Sequence, residues 1–533
     1  MSKYAVALAF LLIISGCGGS PDTAAPTTTV FLAPTQAPTT TVVPTTTVAA
    51  TTTAAPTTTA APTTTVVPTT TVAPTTTAAP TTTAAPTTTV VPTTTVAPTT
   101  TAPTTTTAAP TTAAPTTTAA PTTTTAAPTY PIVKVSAPDF SASTSYTPFP
   151  ESLQSAFLTA LSNEFEAFDQ KMGWSAAAYQ NGMLWSDAIG LANESTPMTT
   201  STPMAIMSTS KTFLSALILS QVEGGLYALD DLISVLLADH NGYQSVNKSL
   251  IPDASVEQHL RMASGVQELS TTSVEAYLQS LDPNWKPSDA LTLVSGPPIP
   301  PGTHNYTATS SFLLGLVAEH KGGADLHTLY RTEFFEPLSL KAGLLPHIQT
   351  PTKMSSTYAD LTNYGGDPGW GNVQDVVFYR DLDYWEAEGR RNWSCCGVVS
   401  TPESIARWGY ELFSPNGSAV SANVRQQLID SFQDLTEKAG GPWLYGMHVA
   451  MKEQRLSDGT VIQTYGHPGG GSGATSDLFY VPLLDLAIAL QANTEDIFQR
   501  ATCARRGGLY SDEPWLSPSD CVAREIIDAV NDQ

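Results

Sequence analysis

Charge is scarce in this chain, and cysteine is scarcer. Charged residues make up 13% of the 533 residues, with Lys plus Arg 23 against Asp plus Glu 46, a formal net charge of −23. Such a balance excludes the basic footprint that nucleic acid or an anionic membrane surface demands. The five cysteines (Cys17, Cys395, Cys396, Cys503 and Cys521) show no zinc spacing, and the eight histidines contain no HExxH or other ligand cluster. No metal and no cofactor is expected. Long apolar runs are also missing: past the N-terminus, no stretch approaches the roughly 20 apolar residues that a membrane-spanning helix needs.

The N-terminus carries the exception. Lys3 precedes an apolar run from Ala5 to Ile14, followed by small residues, the pattern of an export signal over residues 1–17. Its end, Ile14-Ser15-Gly16-Cys17, resembles the lipobox of bacterial lipoproteins. That resemblance implies lipidation at Cys17 and anchoring to a bacterial membrane on its extracytoplasmic side; a plain secretory signal with an incidental cysteine is the alternative.

From Gly18 to about Thr129 the composition collapses to Thr, Pro, Ala and Val, with PTTTVA-like units repeating every six residues, and the linker is expected to cover residues 18–147. Asp22 is the only charge between Gly18 and Lys134. Proline and β-branched threonine keep such a chain extended, at about 3.1 Å per residue, with nothing from which to build a core. A disordered spacer is expected there, and a globular head over residues 148–533.

Within the head, Leu153, Phe157, Leu161, Phe165 and Phe168 recur at helical spacing, predicting a helix from Glu151 to about Met172. Strands are expected at Ser175–Tyr179 and Met183–Ala188 around a Gln180-Asn181-Gly182 turn. Further strands are expected at Trp443–Met451, Val461–Tyr465, Ala474–Val481 and Leu484–Ala492, before a closing helix at Asp520–Val530. Strands at both ends with helices between predict an α/β (α+β) head: one antiparallel sheet built from both chain termini, flanked by helices, plus a mostly helical lobe. Cys503 and Cys521 bracket a Gly/Ser/Pro-rich loop that a disulfide could close, whereas adjacent Cys395 and Cys396 could bridge each other or pair elsewhere.

Three stretches carry chemistry. In AIMSTSKTFLSALILSQVEGG, Ser208 and Lys211 stand three apart at the front of an apparently amphipathic helix. That spacing puts a hydroxyl and an amine on one face, where a desolvated lysine can activate a serine. Ser245 and Lys248 repeat the spacing, but in polar, loop-like sequence. Tyr306 follows a Pro/Gly turn and opens an apolar helix; beside a lysine cation a tyrosine can shuttle protons. His467 precedes a glycine run whose N–H groups can hold an oxyanion. No GxSxG elbow is present, so the α/β-hydrolase route to the same chemistry is unsupported.

In this order and spacing the stretches resemble the serine β-lactamase and penicillin-binding (β-lactamase/transpeptidase-like) superfamily. The likeness is greatest to the branch of class C β-lactamases, D-alanyl-D-alanine carboxypeptidases and family VIII esterases. It extends to WSAAAYQNGMLWSDAIGLAN, SVEQHLRMASGVQEL, CCGVVSTPESIARWGYELF and DLFYVPLLDLAIALQAN. The resemblance implies Ser208 as acylated nucleophile, Lys211 and Tyr306 as proton carriers, and His467-Pro468-Gly469 in the strand motif. The N–H groups of Ser208 and Gly470, beside Gly469, would form the oxyanion hole. Lys438-Ala439-Gly440 imitates the strand motif in a turn-like context and is set aside.

Two departures shape the expected activity. Penicillin-type members read Tyr-x-Asn, where this chain has Tyr306-Thr307-Ala308, and His467 replaces the fixed charge of a lysine. Both favour an ester or small-amide hydrolase over a β-lactamase or D-Ala-D-Ala carboxypeptidase acting on cell-wall peptide. A catalytically silent binding head on a stalk is the remaining alternative. The expected partners are a small ester, amide or peptide substrate and a membrane reached through the N-terminal lipid.

Overall fold

Side-chain alternation decides the sheet. Strand β2 (Gly173–Gln180) sends Trp174, Ala176 and Ala178 to one face and Ala177 and Tyr179 to the other. Both faces are covered, so its residues are buried almost without a break. The computed structural model describes residues 130–533 apart from 131, 143–144, 168–171, 194, 270–278, 281, 361–375, 380–381, 435–442, 472 and 495–515.

The other strands of the main sheet are β1 (Thr147–Pro148), β3 (Met183–Gly190), β4 (Gln433–Asp434), β5 (Trp443–Tyr445), β6 (Ala450–Arg455), β7 (Val461–Gly471), β8 (Ala474–Val481) and β9 (Leu486–Ala492). Together they form a nine-stranded sheet in the order β1-β3-β2-β9-β8-β7-β6-β5-β4. The two chain ends meet where β2 pairs with β9, Ala177 opposite Ala489. The sheet is mixed rather than purely antiparallel, because the short edge strand β1 runs parallel to β3.

Helix α1 (Glu151–Ala167) and the C-terminal helix, α6 below, share one sheet face. Phe157 is fully buried there, with edge contacts to Phe149 at 5.3 Å and Trp185 at 5.4 Å. Burying such a ring contributes about 2–3 kcal/mol. The other face receives the helical lobe, built from α2 (Lys211–Glu223), α3 (Ala308–Gly322), α4 (Leu382–Cys396) and α5 (Pro402–Phe413). Helix α6 (Pro518–Asn531) starts at a capping box between Ser517 and Asp520, with Pro518 in its first turn.

Several expectations need correction. Helix α2 is not amphipathic: Lys211 through Leu219 are all buried, and Phe213 stacks on Trp408 with ring centroids 3.9 Å apart. A helix at the centre of a lobe is apolar all round. Helix α1 ends at Ala167, and Phe168 lies outside the described residues. The segment Trp443–Met451 is two strands, because the chain turns at Gly446–Val449, with Gly446 N–H donating to the Val449 carbonyl at 2.8 Å and His448 at φ 59. Strand β7 runs to Gly471, six residues past its expected end, since β8 pairs through the Pro-Gly run.

Packed chain also begins before residue 148. Val135 bridges in parallel with Ile348, its N–H donating to the His347 carbonyl at 2.9 Å. Phe140 is buried in the lobe core, and Lys134 pairs with Glu386 of α4 at 2.6 Å. No helix among the described residues is long and apolar enough to cross a membrane. Cys17, Cys503 and Lys438-Ala439-Gly440 lie outside them.

Candidate active site

The nucleophile's place follows from a backbone turn. Ser208 sits in a 3₁₀ turn, Met207–Ser210, that runs directly into α2, and Met207 adopts a left-handed φ of 45. Left-handed backbone is uncommon for a residue with a side chain and clusters where a turn must aim a functional group. Strand β7 meets this turn at Gly469. A Cβ there would lie 2.3 Å from the Ile206 carbonyl oxygen and 3.0 Å from the Ser208 nitrogen, so only glycine lets the two backbones approach. Thr209 Oγ1 closes the seam, donating to the His467 carbonyl at 2.9 Å.

Lys211 lies one turn on and is wholly buried. Its Nζ donates to Ser208 Oγ at 3.0 Å and to the Cys395 carbonyl at 3.3 Å. It is also within hydrogen-bonding reach of the Tyr306 hydroxyl and 4.9 Å from that ring's centroid. Burial alone would pull the lysine pKa down, but the surrounding Tyr306, Cys395 and Glu268 raise it above its ordinary value. Lys211 is therefore a cation.

Helix α4 supplies the carbonyl. Its path kinks at Trp393, whose indole N–H donates to His347 Nε2 at 3.1 Å. The vicinal bridge is not formed: Cys395 is a buried free thiol, while Cys396 and Cys521 are disulfide-bonded.

His467 projects from β7 into the same site and is buried. Its Nδ1 is 2.5 Å from the Pro468 carbonyl oxygen, so that nitrogen carries the proton and donates. Its Nε2 then accepts from the Tyr445 hydroxyl at 3.2 Å. Burial, joined by the Lys211 charge, holds its pKa well below the usual histidine range. The partial positive charge expected at this position is absent at neutral pH.

The β6 ladder on β7 stops at Gly466, whereas the β8 ladder continues to Gly471. His467–Gly471 thus has one edge outside the ladders, running through the expected oxyanion donor Gly470. Ser208, Lys211, Tyr306, His467 and Gly469 are brought together in one place. The second pair is not: Ser245 and Lys248 are exposed, and Lys248 Nζ donates to the Tyr243 carbonyl.

Two members of the site carry no motif signature. Tyr445 stands edge-on to Tyr306 at 5.7 Å and to His467 at 5.6 Å. Glu268 accepts from the Ala308 N–H at 2.8 Å and the Leu269 N–H at 2.9 Å. Burial pushes its carboxyl up to about 7, against those N–H groups and the Lys211 charge. An acidic residue shortly after an SG turn, inside the SVEQHLRMASGVQEL stretch already likened to the family, was the available signal. Among the described residues no cluster of His, Cys, Asp and Glu could hold a metal ion.

Comparison with known proteins agrees with this fold. The D-amino acid amidase from Ochrobactrum anthropi SV3, solved with D-phenylalanine, superposes with a TM-score of 0.56 at 19% identity, covering 72% of this chain and 100% of that one. A penicillin binding protein from Bacillus halodurans gives 0.50 at 18% identity, covering 69% of this chain and 98% of that one. At such identities the likeness shows the fold. No curated protein sequence matches. The profile of the family described as beta-lactamase matches residues 161–510, well over half of the chain and spanning every catalytic position above. The chain belongs to the beta-lactamase family, a family of serine hydrolases.

Proposed function

We propose that this protein is a membrane-tethered, extracytoplasmic serine hydrolase that acts on an ester or small amide through an acyl-enzyme on Ser208. The observation that carries the reading is the Ser208–Lys211 hydrogen bond of 3.0 Å inside a fully buried charge environment. A cationic Lys211 already holds its proton, so the base is Tyr306 in its phenolate form, which takes the Ser208 proton to become the phenol and then gives that proton to the leaving group. Lys211 supplies the positive field for both steps. The Ser208 and Gly470 N–H groups hold the developing oxyanion.

Two features support an ester or small amide over a carboxylate-bearing β-lactam or peptide. His467 is held neutral and offers no charge to a substrate carboxylate. Ala308, the first residue of α3, has no amide to grip a substrate carbonyl. The amidase named among the structural neighbours is in keeping with small-amide chemistry. Tethering rests on the lipobox-like Ile14-Ser15-Gly16-Cys17 and the Thr/Pro spacer behind it.

The test is p-nitrophenyl butyrate hydrolysis by the purified protein beside its Ser208→Ala variant. Turnover should fall by on the order of 10³-fold or more in the variant, with thermal unfolding unchanged. Equal turnover in both would remove Ser208 from the mechanism.

A further inference from the structure

Two buried hydroxyls tie the nucleophile's turn to the sheet. Thr209 follows Ser208 in the 3₁₀ turn, and Ser476 lies on β8, directly opposite Gly469 of β7. Both side chains are fully buried. Ser476 Oγ donates to the Ile206 carbonyl at 2.6 Å, while Thr209 Oγ1 donates to the His467 carbonyl at 2.9 Å. The two hydroxyl oxygens are themselves 2.7 Å apart. Two hydroxyl protons thus serve three contacts. A proton moved to one contact is taken from another, so the pair behaves as one unit.

Each carbonyl held in this way stands close along the chain to an oxyanion donor. The Ile206 carbonyl belongs to the peptide unit just before the one that carries the Ser208 N–H, with left-handed Met207 between them. It also accepts the Thr209 N–H at 3.1 Å, so two donors pin it. The His467 carbonyl lies two peptide units before the Gly470 N–H, on the part of β7 whose other edge is outside the ladders. Ser476 passes Gly469 to reach Ile206: a Cβ on Gly469 would stand 2.7 Å from Ser476 Oγ. The absent side chain is what admits the hydroxyl.

We propose that Thr209 and Ser476 are positioning residues that together set the spacing between the Ser208 and Gly470 N–H groups, the two donors of the oxyanion hole. The proposal rests on the hydrolase reading above. One donor rides on the turn and the other on β7, and the hydroxyl pair is bonded to both. Hydrogen bonds weaken steeply as their geometry departs from ideal. The hole matters most once charge has developed on the substrate oxygen, so loosening the pair acts on the tetrahedral intermediate more than on substrate binding. The loss therefore falls on kcat and leaves KM nearly unchanged.

The experiment measures p-nitrophenyl butyrate hydrolysis and inhibition by butylboronic acid, whose boron takes the Ser208 oxygen to give a tetrahedral adduct. The full-length protein is compared with Thr209→Val, Thr209→Ser and Ser476→Ala. In Thr209→Val kcat should fall by about 10- to 100-fold, the range of a small misplacement at a reacting centre, with KM changed by less than about twofold. The boronate Ki should rise by the same factor as kcat/KM falls. Thr209→Ser keeps the hydroxyl and should restore both values to within about threefold of wild type. If Thr209→Val does not fold, Ser476→Ala carries the same test. A lowered Tm with kcat and boronate Ki unchanged would make the pair merely structural and overturn the proposal, as would a loss confined to KM. Ser208-dependent turnover that both hydroxyl variants retain in full rejects this inference alone. No Ser208-dependent turnover on any substrate rejects the hydrolase reading with it.

Discussion

The Tyr445 hydroxyl lies 3.2 Å from His467 Nε2, and this bond completes a tautomer whose other nitrogen already donates to Pro468. A hydrogen bond donated to the neutral ring disfavours the imidazolium. Tyr445→Phe removes it without removing the ring that braces Tyr306. Activity at pH 7.5 should fall by less than about tenfold, while the acid limb of the pH–rate profile moves to higher pH as His467 becomes easier to protonate. A profile of unchanged shape would show that Tyr445 only fills space.

Lys211 separates stability from activity. It is a buried cation with no carboxylate ion-pair partner among the described residues, so its presence costs the folded state. Lys211→Met should lower kcat/KM by on the order of 10²- to 10⁴-fold. Its Tm should match or exceed wild type by a few degrees. A large drop in Tm would mean that the lysine is mainly structural.

Gly469→Ala tests the seam between strand and nucleophile. The added methyl would meet the Ile206 carbonyl oxygen at 2.3 Å, Ser476 Oγ at 2.7 Å and the Ser208 nitrogen at 3.0 Å, and the two backbone atoms cannot swing aside. Overpacking of this kind costs about 1–3 kcal/mol. Because the displaced atoms are those that aim Ser208, acylation by a fluorophosphonate probe should slow more than the stability loss explains. Normal acylation in a destabilised variant would contradict the placement.

Buried carboxylates set an alkaline limit. Glu319 accepts from the Leu326 N–H at 2.8 Å, and burial pushes its pKa up to about 8. A carboxyl raised in the folded state stabilises fully below its unfolded value, near 4.5, and loses that contribution as pH rises through about 8. Buried His259 and His448, pulled down to about 3 by burial, act with the opposite sign, losing stability as pH falls below about 6.5. Wild type should therefore lose Tm between pH 6.5 and 8.5, and Glu319→Gln should lose less of it. Parallel curves for the two proteins would place the alkaline sensitivity elsewhere.

The sheet was readable because β8 and β9 carry runs of strand-forming apolar residues, Leu478–Val481 and Leu486–Leu490, on either side of a turn. Strand β7 was cut short at Tyr465 because Pro468 and three consecutive glycines read locally as a turn. Only the pairing with β8, a tertiary fact, keeps that run extended. The character of α2 was misread for a related reason: its apolar positions suit one face, but Thr212, Ser215 and Gln221 are buried by neighbours that a sequence does not display. Ser208, Lys211 and Tyr306 were legible through spacing and resemblance together. Glu268 and Tyr445 were not, because each contributes one polar group whose meaning depends on what folds beside it.

The stretch ahead of β1 has a mechanical consequence. Any pull transmitted along the chain reaches Tyr130 before the sheet, and meets the Val135–His347 and Gln349–Val135 backbone bonds, the Lys134–Glu386 pair and the buried Phe140. These contacts span residues 134–140, so they share the load before it can peel the two-residue edge strand from β3. Glu386 lies in the helix that ends at the Cys395 carbonyl beside Lys211, which puts Lys211 on the same load path as the stretch ahead of β1.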